Sequence, residues 1–252
     1  MKIIVNADDF GLSGKINEST IYCYQNGCLT SATLLAWGKA FDDAVKMAKE
    51  NPGLGTGVHL VLDGQFDIPY FQSTVTNPDT NSLFEKKEIL EKIKNNKVRH
   101  DDLVKIYSMQ IEKILDNNIN ISHIDHHHHF HLYFPVLNAL IDVAKKYKLK
   151  YIRSQNILLH INKSITNKIY RQIHQFYLKR KLNTIDGYFE IAPDNLETVI
   201  KRFVRLLKMK KNIIEIESHP DDLDGLDSRF ILDKRVNELL SQHYLINYNN
   251  LA

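Results

Sequence analysis

Lys2-Ile3-Ile4-Val5-Asn6-Ala7-Asp8-Asp9, followed by a helical apolar rhythm over residues 15–26, is the stretch that sets the fold. A short run rich in β-branched residues reads as a buried strand. Two acids stand at its carboxyl end. Ile16, Ile21 and Tyr24 recur at helical spacing, with Ser13 placed as an N-cap and Gly27 as a C-cap. The next segments repeat the unit. Residues 30–36 read as a strand and 38–50 as a helix stopped by Asn51-Pro52-Gly53. Residues 55–62 read as a strand carrying His59. Strand, helix, strand in strict alternation predicts a parallel sheet with helical crossovers.

The rhythm breaks over residues 63–100, where Asp67-Ile68-Pro69 and Asn77-Pro78-Asp79 are turn-rich. It resumes with a helix at 101–115, a strand at 119–125, a helix at 134–147 and a short strand at 150–153. A second irregular region, with much helical character, covers 154–186. A helix at 195–209, a strand at 213–217 and a helix at 229–242 follow. The expectation is an α/β protein: a distorted (β/α) barrel of about seven strands with helices outside, one domain over 1–252. An open doubly wound sheet is the alternative. In either, chemistry belongs at the carboxyl ends of the strands.

Composition narrows the function. Of 252 residues, 33 are Lys or Arg and 30 Asp or Glu, a net charge of +3. Without a dense basic stripe, that does not point to nucleic acid. No apolar run approaches a membrane span, and the opening residues do not read as a signal peptide. Two cysteines, Cys23 and Cys28, are too few for a disulfide framework. A cytoplasmic location is expected.

The chemistry is concentrated in histidine. Six of the twelve lie in His123-Ile124-Asp125-His126-His127-His128-His129-Phe130-His131. Neutral imidazole is the commonest protein metal ligand. On a strand, alternation would put His123, Asp125, His127, His129 and His131 on one face. Six imidazoles cannot bind one ion, so some are expected to orient ligands or touch substrate, with Asp125 fixing a histidine tautomer. Asp8 and Asp9 repel one another unless a cation compensates; one can hold a metal while the other works as a base. His59 ends its strand at the same rim. His219, between a strand and Pro220, is held in an extended conformation. Arg153, at another strand end, is a charge partner for an acid or an anchor for substrate.

Together, Asn6-Ala7-Asp8-Asp9-Phe10-Gly11-Leu12-Ser13, Leu29-Thr30-Ser31-Ala32-Thr33, Gly57-Val58-His59-Leu60-Val61-Leu62, the run from His123, and Ser218-His219-Pro220 resemble the YdjC-like carbohydrate deacetylases, chitooligosaccharide deacetylases among them. The resemblance implies a distorted (β/α) barrel that removes N-acetyl groups from amino sugars with one divalent metal. It implies Asp9, His59 and His127 as metal ligands, Asp8 as general base, His219 as general acid and Arg153 steadying the base. His123, Asp125 and His129 are left for supporting or substrate contacts. One departure is His126, where the family usually has a small residue. The resemblance implies magnesium and a homodimer, whereas two imidazoles and a carboxylate suit zinc. The rival readings are another single-metal amidohydrolase, a phosphoesterase, or a non-catalytic metal- or sugar-binding protein.

Overall fold

A computed structural model describes residues 1–159, 165–191 and 194–251. The chain begins with β1 (Lys2–Phe10), α1 (Gly14–Asn26), β2 (Ser31–Leu34), α2 (Phe41–Glu50) and β3 (Gly55–Leu60). Next come a small hairpin, β4 (Thr76–Asn77) and β5 (Ser82–Leu83), and the helices α3 (Lys86–Lys94) and α4 (His100–Asp116). After β6 (Ile124–His126), a 3-10 turn (His127–Leu132) leads into α5 (Phe134–Lys146). The remainder is α6 (Ile165–Lys179), β7 (Gly187–Glu190), α7 (Leu196–Leu207), β8 (Ile213–Ser218), α8 (Leu226–Leu232), α9 (Lys234–Leu240) and β9 (Tyr244–Leu245).

Six strands run in the order β6-β3-β2-β1-β8-β7, every pairing parallel, with β9 also pairing β1. The sheet is curled and wrapped by helices. Its two edges, β6 and β7, are bridged by the irregular segment 151–158. Ile124 donates its N–H to the Tyr151 carbonyl, and Arg153 donates back to the Ile124 carbonyl. At the other edge Leu158 donates to the Tyr188 carbonyl and Tyr188 to that of Asn156.

Strand alternation divides the buried residues. Ile3, Val5 and Ala7 of β1, with Ile214 and Ile216 of β8, join the main apolar core. The opposite parity, Ile4, Asn6 and Asp8, faces the inside of the curl, as do Glu215 and Glu217 of β8, which meet the same Arg153 as Asp8. At the foot of this interior His123 stacks on Tyr248 with ring centroids 3.7 Å apart. The inside of the curl is therefore polar and the outside oily.

The expected elements stand with several corrections; of the strand expected at 119–125 only Ile124 and Asp125 lie in β6. Residues 150–153 form isolated bridges rather than a strand, and β7 has no counterpart in the sequence reading. The expected helix at 229–242 is two helices broken at Asp233, which caps the second by accepting from the Arg235 N–H. Residues 63–100 hold the hairpin and α3. In the 154–186 region, 160–164 lie outside the described residues. Ser13 caps α1, accepting from the Ile16 N–H. Gly27 ends α1 in an extended conformation; it is glycine because a Cβ there would lie 2.8 Å from Ile231. Cys23 and Cys28 are buried free thiols. Among the described residues no helix is long and apolar enough to cross a membrane.

Candidate active site

The two acids reach the rim together because β1 is irregular where it ends. Its register against β2 shifts between Ala7 and Phe10, and Asp9 takes a left-handed φ of 61°. Aspartate tolerates that conformation better than most residues. The turn brings Asp8 and Asp9, which a regular strand would send to opposite faces, to one cavity of about 300 Å³. His59, His127, His129, Glu217, His219 and Lys86 line the same cavity.

Asp9, His59 and His127 meet there. The Asp9 Oδ1 lies 3.2 Å from His59 Nε2 and 3.1 Å from His127 Nδ1, and the two nitrogens are 3.2 Å apart. Among the described residues the Asp9 Oδ1 has no partner that meets hydrogen-bond geometry. The other nitrogen of His59, Nδ1, is 2.7 Å from Asp125 Oδ1. A carboxylate there demands a proton on Nδ1, which leaves the Nε2 lone pair facing the Asp9 oxygen. Three electron-rich atoms thus converge. Ligand bonds of about 2.1 Å at angles between octahedral and tetrahedral put neighbouring donors about 3.0–3.4 Å apart, which these distances match. The residues fit a single divalent cation. The field at this point is negative: against burial, Asp125, Asp9 and Asp8 raise His59 well above its ordinary value, so the carboxylates favour a positive charge at Nε2, which a metal cation supplies in place of a proton. Burial likewise opposes ionisation of Asp9, yet His127 and His59 keep its carboxyl well below the usual range.

Asp125 also accepts from Thr33 Oγ1 at 2.8 Å and sits 2.9 Å from Arg153 Nη2. Arg153, 1% exposed, grips Asp8 in a two-pronged contact of 2.6 and 2.5 Å and donates Nε–H to Glu215 at 2.8 Å. Burial opposes charge on Asp8, and Arg153 more than offsets it, holding the carboxyl well below the usual range. Tyr248 donates to Glu215 at 2.5 Å. One buried guanidinium thus serves several carboxylates. Removing one partner of a buried ion pair costs roughly 3–5 kcal/mol. For a protein of this size that is a melting-temperature loss of roughly 6–20 °C. Arg153→Met is expected to show it in a thermal melt; a shift under about 2 °C would mean the carboxylates find other compensation.

His219 lines the same cavity as Asp9, His59 and His127. Its Nε2 is 3.9 Å from Asp8 Oδ2 and its Nδ1 is 3.9 Å from Asp227 Oδ2. The same Asp227 oxygen accepts the His219 backbone N–H at 2.5 Å. Burial pushes the Asp227 carboxyl up to about 6.

The alternation expected beyond residue 126 does not occur. The strand stops at His126, and His128 and His129 are both left-handed, with φ of 55°. Four successive histidines therefore point four ways. His126 is held between the Tyr107 hydroxyl at 2.8 Å and the His127 carbonyl at 2.7 Å, which occupies both its ring nitrogens. His127 joins Asp9 and His59. His128 contacts Asp63 at 2.8 Å. His129 turns to Glu217, Nε2 to Oε1 at 3.5 Å. His123, stacked on Tyr248, lies away from the cavity, with Nδ1 2.9 Å from the Ser122 hydroxyl. Of the nine candidates from the sequence, His123 alone is set apart from the cluster.

The sequence reading passed over Glu215, Glu217, Thr33 and Asp227. The two glutamates were within reach of it: in Glu215-Ile216-Glu217-Ser218-His219 they alternate with apolar or small residues, on one face with His219. Thr33 and Asp227 carry no such signal.

Comparison with known proteins accords with this geometry. The family model described as YdjC-like protein matches residues 2–241. Carbohydrate deacetylase 1 of Listeria innocua is 34% identical over 225 residues, covering 89% of this chain and 83% of that protein. The carbohydrate deacetylase of Clostridium beijerinckii is 31% identical over 243 residues, covering 95% and 90%. A crystal structure from Enterococcus faecalis, described as a candidate cellobiose-phosphate cleavage protein, superposes with a TM-score of 0.81 at 24% identity, covering 100% of this chain and 98% of that one. A polar interior closed round a two-histidine, one-aspartate cluster, and a family match over nearly the whole length, lead to one conclusion: this chain belongs to the YdjC-like protein family.

Proposed function

We propose that this protein is a metal-dependent carbohydrate N-deacetylase, which hydrolyses the acetamide of an N-acetylated amino sugar to acetate and the free amine. The observation that carries the reading is the convergence of Asp9 Oδ1, His59 Nε2 and His127 Nδ1, with Asp8 and His219 beside it. The names of the relatives supply the substrate class: two at 34% and 31% identity are carbohydrate deacetylases.

The three donors would hold a divalent ion, which when bound polarises the acetyl carbonyl and eases deprotonation of the attacking water. Two nitrogens and one oxygen suit zinc better than magnesium, which prefers oxygen and water. Everything else is the work of side chains. Asp125 fixes the tautomer of His59 and so aims Nε2. Asp8 takes the water proton on Oδ2, the oxygen nearer His219. Arg153 locks the Asp8 carboxylate so that it receives that proton in one orientation. His219, whose Nε2 faces Asp8 and whose Nδ1 lies 3.9 Å from Asp227 Oδ2, delivers a proton to the departing amine. The partially exposed position of His219 lets it exchange protons with solvent after each turnover.

Acetate release from N-acetylglucosamine and its β-1,4 dimer, measured with and without added zinc or magnesium, tests the reading. Release that depends on metal supports it; silence on every N-acetyl sugar with metal fully bound would sink it. A second test addresses the ligands. His127→Ala removes one donor of three and is expected to weaken metal binding more than about 100-fold, beyond the 10–100-fold typical of losing a supporting contact. Metal content after dialysis reads this directly. Unchanged content would move the ligand to another histidine of the run.

A further inference from the structure

Glu217 is left without a task by the chemistry above. It lies on β8 two residues before His219, lines the cavity and is 2% exposed. Among the described residues its Oε2 has no hydrogen-bond partner. Its Oε1 is 3.4 Å from Arg153 Nη1 and 3.5 Å from His129 Nε2, both long for a hydrogen bond. Arg153 spends its shorter contacts on Asp8, Glu215 and Asp125. His129 matches it: the side chain lines the same cavity, and Nδ1 has no partner. The backbone holds His129 there in a left-handed conformation that a residue with a Cβ rarely adopts. Buried polar atoms normally find partners, so two orphans on one cavity wall call for a ligand. Strain kept at such a place points the same way.

A cation is a poor candidate for this wall because the Arg153 guanidinium is beside it. A hydroxyl, which donates and accepts at once, suits a carboxyl oxygen and an imidazole nitrogen together. The location selects which hydroxyl. One atom each from Asp8, Glu217 and His219 fall within 4.8 Å of one another. If Asp8 and His219 flank the scissile amide, Glu217 stands beside the neighbouring ring carbon. We propose that Glu217, with His129, is a substrate-contacting residue that hydrogen-bonds the C3 hydroxyl of the sugar, beside the acetamido group. This rests on the N-deacetylase reading above and deepens it. It gives the site a preference for amino sugars with that hydroxyl free and unsubstituted.

The test is a substrate-and-variant cycle. The rate constant kcat/KM for acetate release is measured for wild type, E217A and E217Q on N-acetylglucosamine and on its 3-deoxy analogue, with metal content checked for each protein. E217A is expected to lose about 10–100-fold on the parent sugar, and E217Q, which keeps a hydrogen-bonding side chain of the same shape, less than about 5-fold. Wild type is expected to lose about 10-fold on the 3-deoxy sugar, and E217A no more than about 2-fold further, because the contact is already gone. Equal 3-deoxy losses in wild type and E217A overturn the contact, as does full activity of E217A. Failure of E217Q to rescue, with metal retained, also overturns it. A wild type that releases no acetate from any N-acetyl sugar overturns the reaction, and this contact with it; an active wild type with an indifferent Glu217 overturns the contact alone.

Discussion

Asp8→Asn is expected to leave the metal in place and lower kcat for acetate release by about 10²–10⁴-fold, the range for losing a general base. The reason is spatial. Asp8 contributes no atom to the Asp9, His59 and His127 set, so ligand geometry survives the change. An asparagine keeps the shape and a carbonyl oxygen for Arg153, but it cannot take a proton. Arg153 retains Glu215 and Asp125 as anionic partners, so the fold is expected to hold. Metal analysis and single-turnover kinetics on one preparation separate the two effects. Activity near that of wild type would remove Asp8 from the proton path, and loss of metal would place it among the ligands.

The second large effect is acid sensitivity. Among the described residues, burial holds five closely packed histidines, and to a lesser depth His243, below their ordinary value. His126 is pushed down to about 3 and His174, beside Arg171, to about 4. Burial also takes His123, His129 and His131 well below the usual range. Each is neutral when folded and gains a proton near pH 6.5 when unfolded. Their contribution to stability is therefore fully present above pH 6.5 and lost as the pH falls below it. Several groups oppose this. His59 is raised, so it favours the fold as pH falls. Burial raises Asp227 to about 6 and, against the pull of Arg153, holds Glu217 well above the carboxylate range. Burial also raises Glu215 and Asp221. These carboxyls, protonated first in the fold, stabilise on acidification. His59 is protonated in both states near pH 5.5 and drops out. The buried histidines outnumber the raised carboxyls, so between about pH 6.5 and 5 the unfolded chain binds more protons than the fold, and stability falls as the pH falls. Thermal melts across this range are expected to fall steeply. A flat profile would mean that the buried histidines are hydrated or charged in the native protein.

What the sequence made legible was whatever its periodicity could carry. Strands β1, β2, β3 and β8 announced themselves as apolar runs, and their polar ends could be assigned to one rim without knowing the order of pairing. The alternation rule then failed at His128, because it assumes an extended backbone. Two successive left-handed residues, neither of them glycine, turn the chain through four histidines, and nothing in the side chains signals it. The rule holds for Glu215 and Glu217, where the strand is regular and both share a face with the strand-end His219. β7 escaped because Gly187-Tyr188-Phe189-Glu190 is short and follows the irregular region. Asp227 reaches His219 from the start of α8, across a turn whose geometry local sequence does not encode.

The seam at residues 151–158 serves the proposed base rather than the metal donors. Asp9, His59 and His127 stand on or next to β1, β3 and β6, which are joined through β2 on one side of the curl. They need no seam. Arg153 rides on the seam itself, tied by its backbone to β6, while its side chain reaches Asp8 and Glu215 on β1 and β8. On the proposed mechanism, then, the seam is what brings the Arg153 guanidinium to Asp8, so the element that joins the two edges also sets the orientation of the proposed base beside the three donors.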